Sequence, residues 1–437
     1  MAHPMEQKNV SRISKQFKKT FSEDDLNEVG KAVRFCLRKR AVTPFRLAMG
    51  LIEVFADSKV DTIADIQRSF NALCKTNVQY KPFHNQLVKQ EFPVFMRSVC
   101  TTLLEQLACS ALRFNETSPF ARFKQIILQD GTSFSVHGAL EAVFPGRFTA
   151  TNPAAVELHV AMDLLTEQAE SIVLTPDTDG EAQYLPAPET LVGALVLGDR
   201  GYFKKEYLFE VDREGGHFII KGKGNMNPTV TRALTEDGRE IKRWRDQKLQ
   251  DIKHKLRKNQ RMDMDICWQM KGELFTCRLV VSWNPETKSY QYLLTNLPRE
   301  QFSIDHVIDG YTLRWQIELL FKEWKSYANL HAFDTEKVTI AEGLIWAALC
   351  AAILKRYCAH LTQRLLHVPI STRKVAMCGR HFLPAIFHAL MYCPRQLTSA
   401  LRHAFEYLSK NAQRAHPERD GISGRSKTGL QPVFGSP

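Results

Sequence analysis

The chain has 437 residues, 44% of them hydrophobic and 24% charged. That is enough apolar side chain for a large packed core and excludes a disordered polyelectrolyte. The formal net charge of +12 favours a polyanionic partner, because Lys and Arg bind phosphates by releasing counterions. Ten cysteines are scattered without a CxxC pair, a spacing that suits neither a zinc site nor a disulfide framework.

The N-terminus is polar and basic and carries no apolar signal core. Residues 1–118 read as helical. "EDDLNEVGKAVRFCLRKR" places acids early and bases late, as a helix dipole prefers, and several amphipathic segments follow. Residues 1–50 hold 11 Lys/Arg against 5 Asp/Glu, so this region is expected to be a basic DNA-binding domain. No diagnostic helix-turn-helix pattern is visible within it.

The pattern changes near Phe123. "KQIILQDGTSFSV" predicts a short strand ending at Asp130, and "VELHVAMDLLT" and "ESIVLTP" predict two more. "APETLVGALVLGDRGYF" reads as a helix followed by the buried strand Ala194–Leu197, ending at Gly198-Asp199. "FKKEYLFEVDREGG" is an amphipathic helix stopped by two glycines, and "HFIIKGK" is a further strand. From about 225 to 297 the alternation stops in favour of a β-rich insertion. It carries a basic loop, with 8 Lys/Arg against 2 Asp over residues 241–260. Helices fill 335–414, and the Gly/Ser/Pro-rich tail 415–437 is expected to be disordered. The oily run "LIWAALCAAIL" (Leu344–Leu354) is too short to span a bilayer and reads as a buried helix, so a cytoplasmic protein with no membrane partner is expected.

Asp130 and Asp199 share a setting: each follows a short oily strand and precedes a glycine or an Arg-Gly turn. Ligands of α/β sheets bind beyond the carboxyl ends of strands. Two such strands side by side would bring the carboxylates together, where they repel unless a cation lies between them. Hard oxygen donors suit Mg²⁺ or Mn²⁺ rather than zinc. A third carboxylate can come from "YTLRWQIELLFKEWKS". Read as one helix, it buries Leu313, Ile317, Leu320 and Trp324, with Phe321 at the margin. Tyr311, Arg314, Glu318 and Lys325 then fall within an arc of roughly 60° on another face. Glu318 can join the two aspartates. Arg314, Lys325 and Tyr311 can hold phosphates, as can Arg200. Taken singly, each of these residues has an ordinary structural reading. An Asp ending a strand is commonly a turn residue, and an Arg314–Glu318 pair is a commonplace of solvated helix faces. Their conjunction points to metal-assisted phosphoryl transfer.

The sequence resembles the DDE transposases of bacterial insertion sequences, specifically the insertion-sequence-four group. Its signature Y-x2-R-x3-E-x6-K is met by Tyr311, Arg314, Glu318 and Lys325, and its acid blocks by "QDGTSF" and "LGDRGYF". The resemblance covers roughly 120–330. It implies a ribonuclease-H-like α/β catalytic core over 119–334, interrupted by the β-rich insertion and flanked by helical regions. It implies that Asp130, Asp199 and Glu318 are catalytic and bind two Mg²⁺ (or Mn²⁺) ions, and that Tyr311, Arg314, Lys325 and Arg200 bind DNA. It also implies cut-and-paste transposition by a dimer on paired terminal repeats, with transfer to a double-stranded target, in the cytoplasm at the bacterial nucleoid. In some relatives an insertion tryptophan stacks on a flipped base; Trp244, Trp268 and Trp283 are candidates that spacing does not separate. Asp163, His137, His159, Lys204 and Lys205 read as structural or surface residues, and Thr132 and Ser133 as shaping the turn after Asp130. Two rivals stand beside this reading: a transposase-derived DNA-binding regulator without catalysis, and a ribonuclease-H-fold nuclease that only hydrolyses DNA.

Overall fold

The computed structural model describes residues 6–38, 41–56, 60, 62–270, 272–330, 334–415, 425 and 427–436. Among the described residues, six helices come first: α1 (Gln7–Thr20), α2 (Glu23–Ala32), α3 (Pro44–Val54), α4 (Ile63–Cys74), α5 (Tyr80–Leu87) and α6 (Glu91–Gln106). Ser22, Thr43 and Thr62 start α2, α3 and α4 by accepting the backbone N–H groups of Asp25, Arg46 and Asp65, donors that the first turn of a helix otherwise leaves unpaired.

A short strand β1 (Leu112–Phe114) precedes the main sheet. In chain order the sheet contains β2 (Ile126–Ser135), β3 (Ala155–Asp163), β4 (Gln168–Pro176), β5 (Leu195–Gly198), β6 (His217–Lys221), β7 (Thr229–Thr235), β8 (Met262–Met270), β9 (Glu273–Asn284) and β10 (Ser289–Thr295). Their spatial order is β4-β3-β2-β5-β6-β10-β9-β8-β7. The pairs β2–β5 and β5–β6 are parallel, and the remaining ladders are antiparallel. The helix α7 (Lys205–Arg213) links β5 to β6, and α8 (Leu249–Ile252) lies in the basic loop between β7 and β8.

The period-2 alternation of the strands sorts side chains between two cores. Ile126 and Leu128 of β2, with Leu195 and Leu197 of β5, join the core shared with the large helices. Ile127, Val196, Phe218 and Ile220 point the other way, into a second core with α7 and the β-rich extension. The result is a large mixed sheet with helices packed on it.

Among the described residues, five helices follow the sheet: α9 (Ile304–Thr312), α10 (Trp315–Tyr327), α11 (Val338–Leu366), α12 (Thr372–Tyr392) and α13 (Leu397–Asn411). By length and hydropathy α11 could cross a membrane, yet 89% of its most apolar window is buried among the other elements. It packs against α3, α6, α12 and α13, so the helices of residues 7–106 and 338–411 share one core.

Three sequence expectations change. β2 does not end at Asp130 but runs on to Ser135, so Thr132 and Ser133 are strand residues paired with β3, not turn formers. The helix expected before β5 is a single 3₁₀ turn, Pro188–Leu191, too short a stretch before the strand for more. The tail, expected to be disordered from 415, is packed where it is described. Strand β11 (Leu430–Pro432) pairs with β1, and Arg425 is buried in an ion pair with Glu167. Its Gly/Ser/Pro composition hid a few apolar and cationic anchors. Residues 416–424, 426 and 437 lie outside the described residues.

Candidate active site

The parallel ladder of β2 and β5 sets the site. Its last pair is Gln129 with Gly198, so Asp130 and Asp199 are the next residue on each of two neighbouring strands. Alternation points both to the face that carries Leu128 and Leu197, the face covered by α10. Asp130 lies within β2, at the point where β5 stops pairing and leaves that side of the strand open.

Tyr311, Arg314, Glu318 and Lys325 do not lie on one helix. The chain breaks between α9 and α10, where i→i−3 bonds replace i→i−4 ones: Leu313 to Gly310, Arg314 to Tyr311, Gln316 to Leu313 and Ile317 to Arg314. Tyr311 closes α9, Arg314 sits just before α10, and Glu318 and Lys325 lie along α10. The expected apolar stripe holds, with Leu313, Ile317, Leu320, Phe321 and Trp324 all buried. The turn still brings Tyr311, Arg314 and Glu318 to the strand ends. Tyr311 Oη donates to Asp199 Oδ1 at 3.0 Å. The Arg314 guanidinium bonds Asp130 Oδ2 through Nη1 and reaches Glu318 Oε1 from Nη2 at 3.2 Å. Arg314 thus stands between two of the acids.

The electrostatics follow from burial. Asp130 is pushed up to about 6, chiefly by burial, with Glu318 and Asp199 adding repulsion and Arg314 opposing it. Burial acts on Asp199 in the same direction, but the backbone N–H of Arg200, with Arg314, Lys221 and Tyr311, holds it below the usual carboxylate range. Lys221 Nζ lies 3.8 Å from Asp199 Oδ1. Lys325 is half-buried; burial lowers its pKa against the pull of Glu318 and Asp177. Arg200 is exposed on the 3₁₀ turn after Asp199.

Among the described residues, no three His, Cys, Asp or Glu side chains converge into a closed metal cluster. The donor chemistry nevertheless fits a hard divalent ion, since all three acids present carboxylate oxygen and their mutual repulsion raises Asp130. The cation that now offsets this charge is Arg314.

Residues 121–354 match the family described as the transposase DDE domain. The chain belongs to that family. Across nearly its whole length this DDE-domain protein is also similar to transposases of insertion sequence elements from Bacillus thuringiensis. It is 20% identical to that of IS231B over 94% of this chain and 93% of the relative. To that of IS231C it is 23% identical over the same shares. The transposase of IS1151 from Clostridium perfringens is 22% identical over 79% of this chain and 80% of its own.

The DDE domain also holds groups that sequence reasoning missed. Glu157 of β3 is 2% exposed, on the face of the sheet opposite Asp130, and burial pushes it up to about 7. Arg147 Nη2 donates to it at 2.8 Å and lies 3.9 Å from both Asp177 and Glu181. Gly131 makes room for it: a Cβ there would meet Glu157 Oε1 at 2.6 Å. The one available signal was an acid inside a strand that is buried along its entire length.

Asp163, His159 and the three tryptophans make turn and packing contacts. Asp163 accepts the N–H groups of Leu165 and Thr166 in a turn. His159 is buried, stacks on Tyr184 with ring centroids 4.1 Å apart, and is driven down to about 4 by burial. Trp244 is buried, Trp268 stacks on Phe275, and Trp283 packs against Tyr290 with Lys258 over its ring. Trp315, not singled out in the sequence, is 46% exposed beside the site.

Proposed function

We propose that this protein is an insertion-sequence transposase of the insertion-sequence-four type. It would cleave DNA at transposon ends and transfer the strand to a target by cut-and-paste. The observation that carries the reading is the register of β2 and β5, which makes Asp130 and Asp199 neighbours beneath Arg314, at the start of α10, and Glu318 on it. The strand order, with an antiparallel β4-β3-β2 followed by parallel β5 and β6, supports a ribonuclease-H-like core over 119–334. In that core the segment 225–297 is an insertion that widens the same sheet.

Asp130, Asp199 and Glu318 are the carboxylates that would hold divalent cations, Mg²⁺ or Mn²⁺. The chemistry such ions supply when bound is charge neutralisation at the phosphodiester and activation of the attacking oxygen. Arg314 holds the acids together before DNA arrives and turns to a phosphate when it does, since a guanidinium suits either anion. Tyr311 fixes Asp199, and Lys325 and Arg200 hold the DNA backbone. In the first reaction water attacks the phosphorus and the 3′ oxygen leaves as a hydroxyl. In the second, that 3′ hydroxyl attacks a target phosphodiester and displaces its 3′ oxygen. Positioning rather than a covalent protein intermediate carries both steps. The helices of 1–118 would recognise the terminal repeats and those of 335–414 would support a dimer on paired ends.

The test uses purified protein and labelled DNA carrying the element's own ends, with Mg²⁺, Mn²⁺ or EDTA. Metal-dependent nicking and end joining, both absent in Glu318→Gln while end binding persists, is the expected result. Binding without either reaction would favour a regulator, and cleavage without joining a nuclease.

A further inference from the structure

The far edge of the sheet carries a second charged feature. Between the turn after β7 and the loop around α8 lies an open groove of about 870 Å³. Arg239, Lys242, Arg243, Lys255 and Arg257 line it, against the acids Asp237 and Glu240. All five cations are exposed. Glu240 lies 3.9 Å from Arg232 and from Arg245, which spends its charge outside the groove's own bases. Among the described residues, Lys242, Arg243, Lys255 and Arg257 have no ion-pair partner.

The groove is held in shape rather than being a loose basic loop. Ile241 N–H returns to Ala233 of β7, and Val230 of β7 bonds Gln247 and Asp246. Trp244 plugs the segment into the second core at 2% exposure, with Leu249 and Ile252 beside it. The ring of Trp244 is therefore unavailable for stacking on a base. Its indole N–H is buried and has no acceptor among the described residues. Exposed cations without counter-charges, held on an ordered segment, are what a phosphate chain satisfies.

We propose that this groove is a second DNA-backbone site, which clamps duplex DNA away from the cleavage point without reading its sequence. The proposal rests on the reading that the chain acts on DNA. β7 lies five strand spacings from β5 in the sheet order, about 24 Å at the usual spacing between strands. A duplex lying on Asp130 and Asp199 reaches the groove about seven base pairs further on, at about 3.4 Å per pair.

The test is binding of a duplex of about 30 base pairs, measured at several salt concentrations with wild type and a Lys242→Ala/Arg243→Ala/Arg257→Ala variant. A control variant neutralises Arg380, Arg395 and Lys410, three exposed bases on α12, α13 and the turn between them. Each lost phosphate contact removes about 0.9 from the slope of log K against log salt. The groove variant should lose close to three such contacts, making its affinity about 40-fold less sensitive to a rise from about 50 to 200 mM salt. The control should keep the wild-type slope, and a duplex trimmed to about four base pairs either side of the cleavage point should bind wild type and groove variant alike. A wild-type slope in the groove variant, or an equal loss in the control, overturns the proposal. If wild type cleaves ends and only the slope prediction fails, the groove is wrong and the transposase reading stands. If wild type neither binds nor cleaves, the transposase reading fails first.

Discussion

Tyr311 Oη and Asp199 Oδ1 are 3.0 Å apart, a bond that ties the end of α9 to the end of β5 across 112 residues of sequence. It lets a phenol, rather than a lysine or arginine alone, hold an acid of the site ionised. Tyr311→Phe should therefore raise the Asp199 pKa and cost about 1 kcal/mol of stability. Urea unfolding and carboxylate NMR titration measure the two effects. An unchanged Asp199 titration would mean that the bond does not form in solution.

Divalent ions should stabilise the folded chain through the same acids. With Mn²⁺ at about 100 times its dissociation constant, the expected gain is about 2.7 kcal/mol. Asp130→Asn and Glu318→Gln should each remove most of that gain. The check is thermal unfolding in Mn²⁺ against EDTA. A gain of equal size in both variants would place the ion elsewhere.

Glu157 has a pH signature of its own. Its folded pKa, about 7, lies above the usual value of 4.5, so the folded chain holds a proton that the unfolded chain has lost. Between about pH 4.5 and 7 its contribution to stability accordingly falls as pH rises. Glu157→Gln should be about as stable as wild type at pH 4 and about 3 kcal/mol more stable at pH 8. Urea midpoints at the two pH values test this, and an equal offset at both would contradict it.

Arg425 should matter more than its place in the tail suggests. It pairs with buried Glu167 and donates from Nε to Gln316 Oε1 at 3.1 Å, behind α10. Arg425→Ala would leave a buried carboxylate short of a partner, at a cost of about 3 kcal/mol. Glu167→Gln in the same chain should recover part of that loss. Chemical denaturation of both variants decides it, and an Arg425→Ala protein as stable as wild type would show that the tail does not dock.

Much of this architecture is written locally. The oily runs of β2, β3 and β5, the apolar stripe of α10 and the β-rich character of 225–297 are periodic features of single segments. Periodicity needs no knowledge of neighbours. The acids Asp130, Asp199 and Glu318 were visible for the same reason, each in a recognisable local frame.

Other features exist only once distant segments meet. The sequence alone determined which residues are apolar, which are charged and how they repeat. It therefore marked most of the elements and the candidate acids. Only tertiary structure decided that Gln129 stands in register with Gly198, that α9 and α10 break at Leu313, and that Arg314 lies between Asp130 and Glu318. The same holds for Glu157, whose pKa is raised by burial in the sheet in spite of Arg147, and for the docking of Arg425. Pattern is a property of one segment; register, burial and charge pairing are sums over neighbours that only the folded chain brings together.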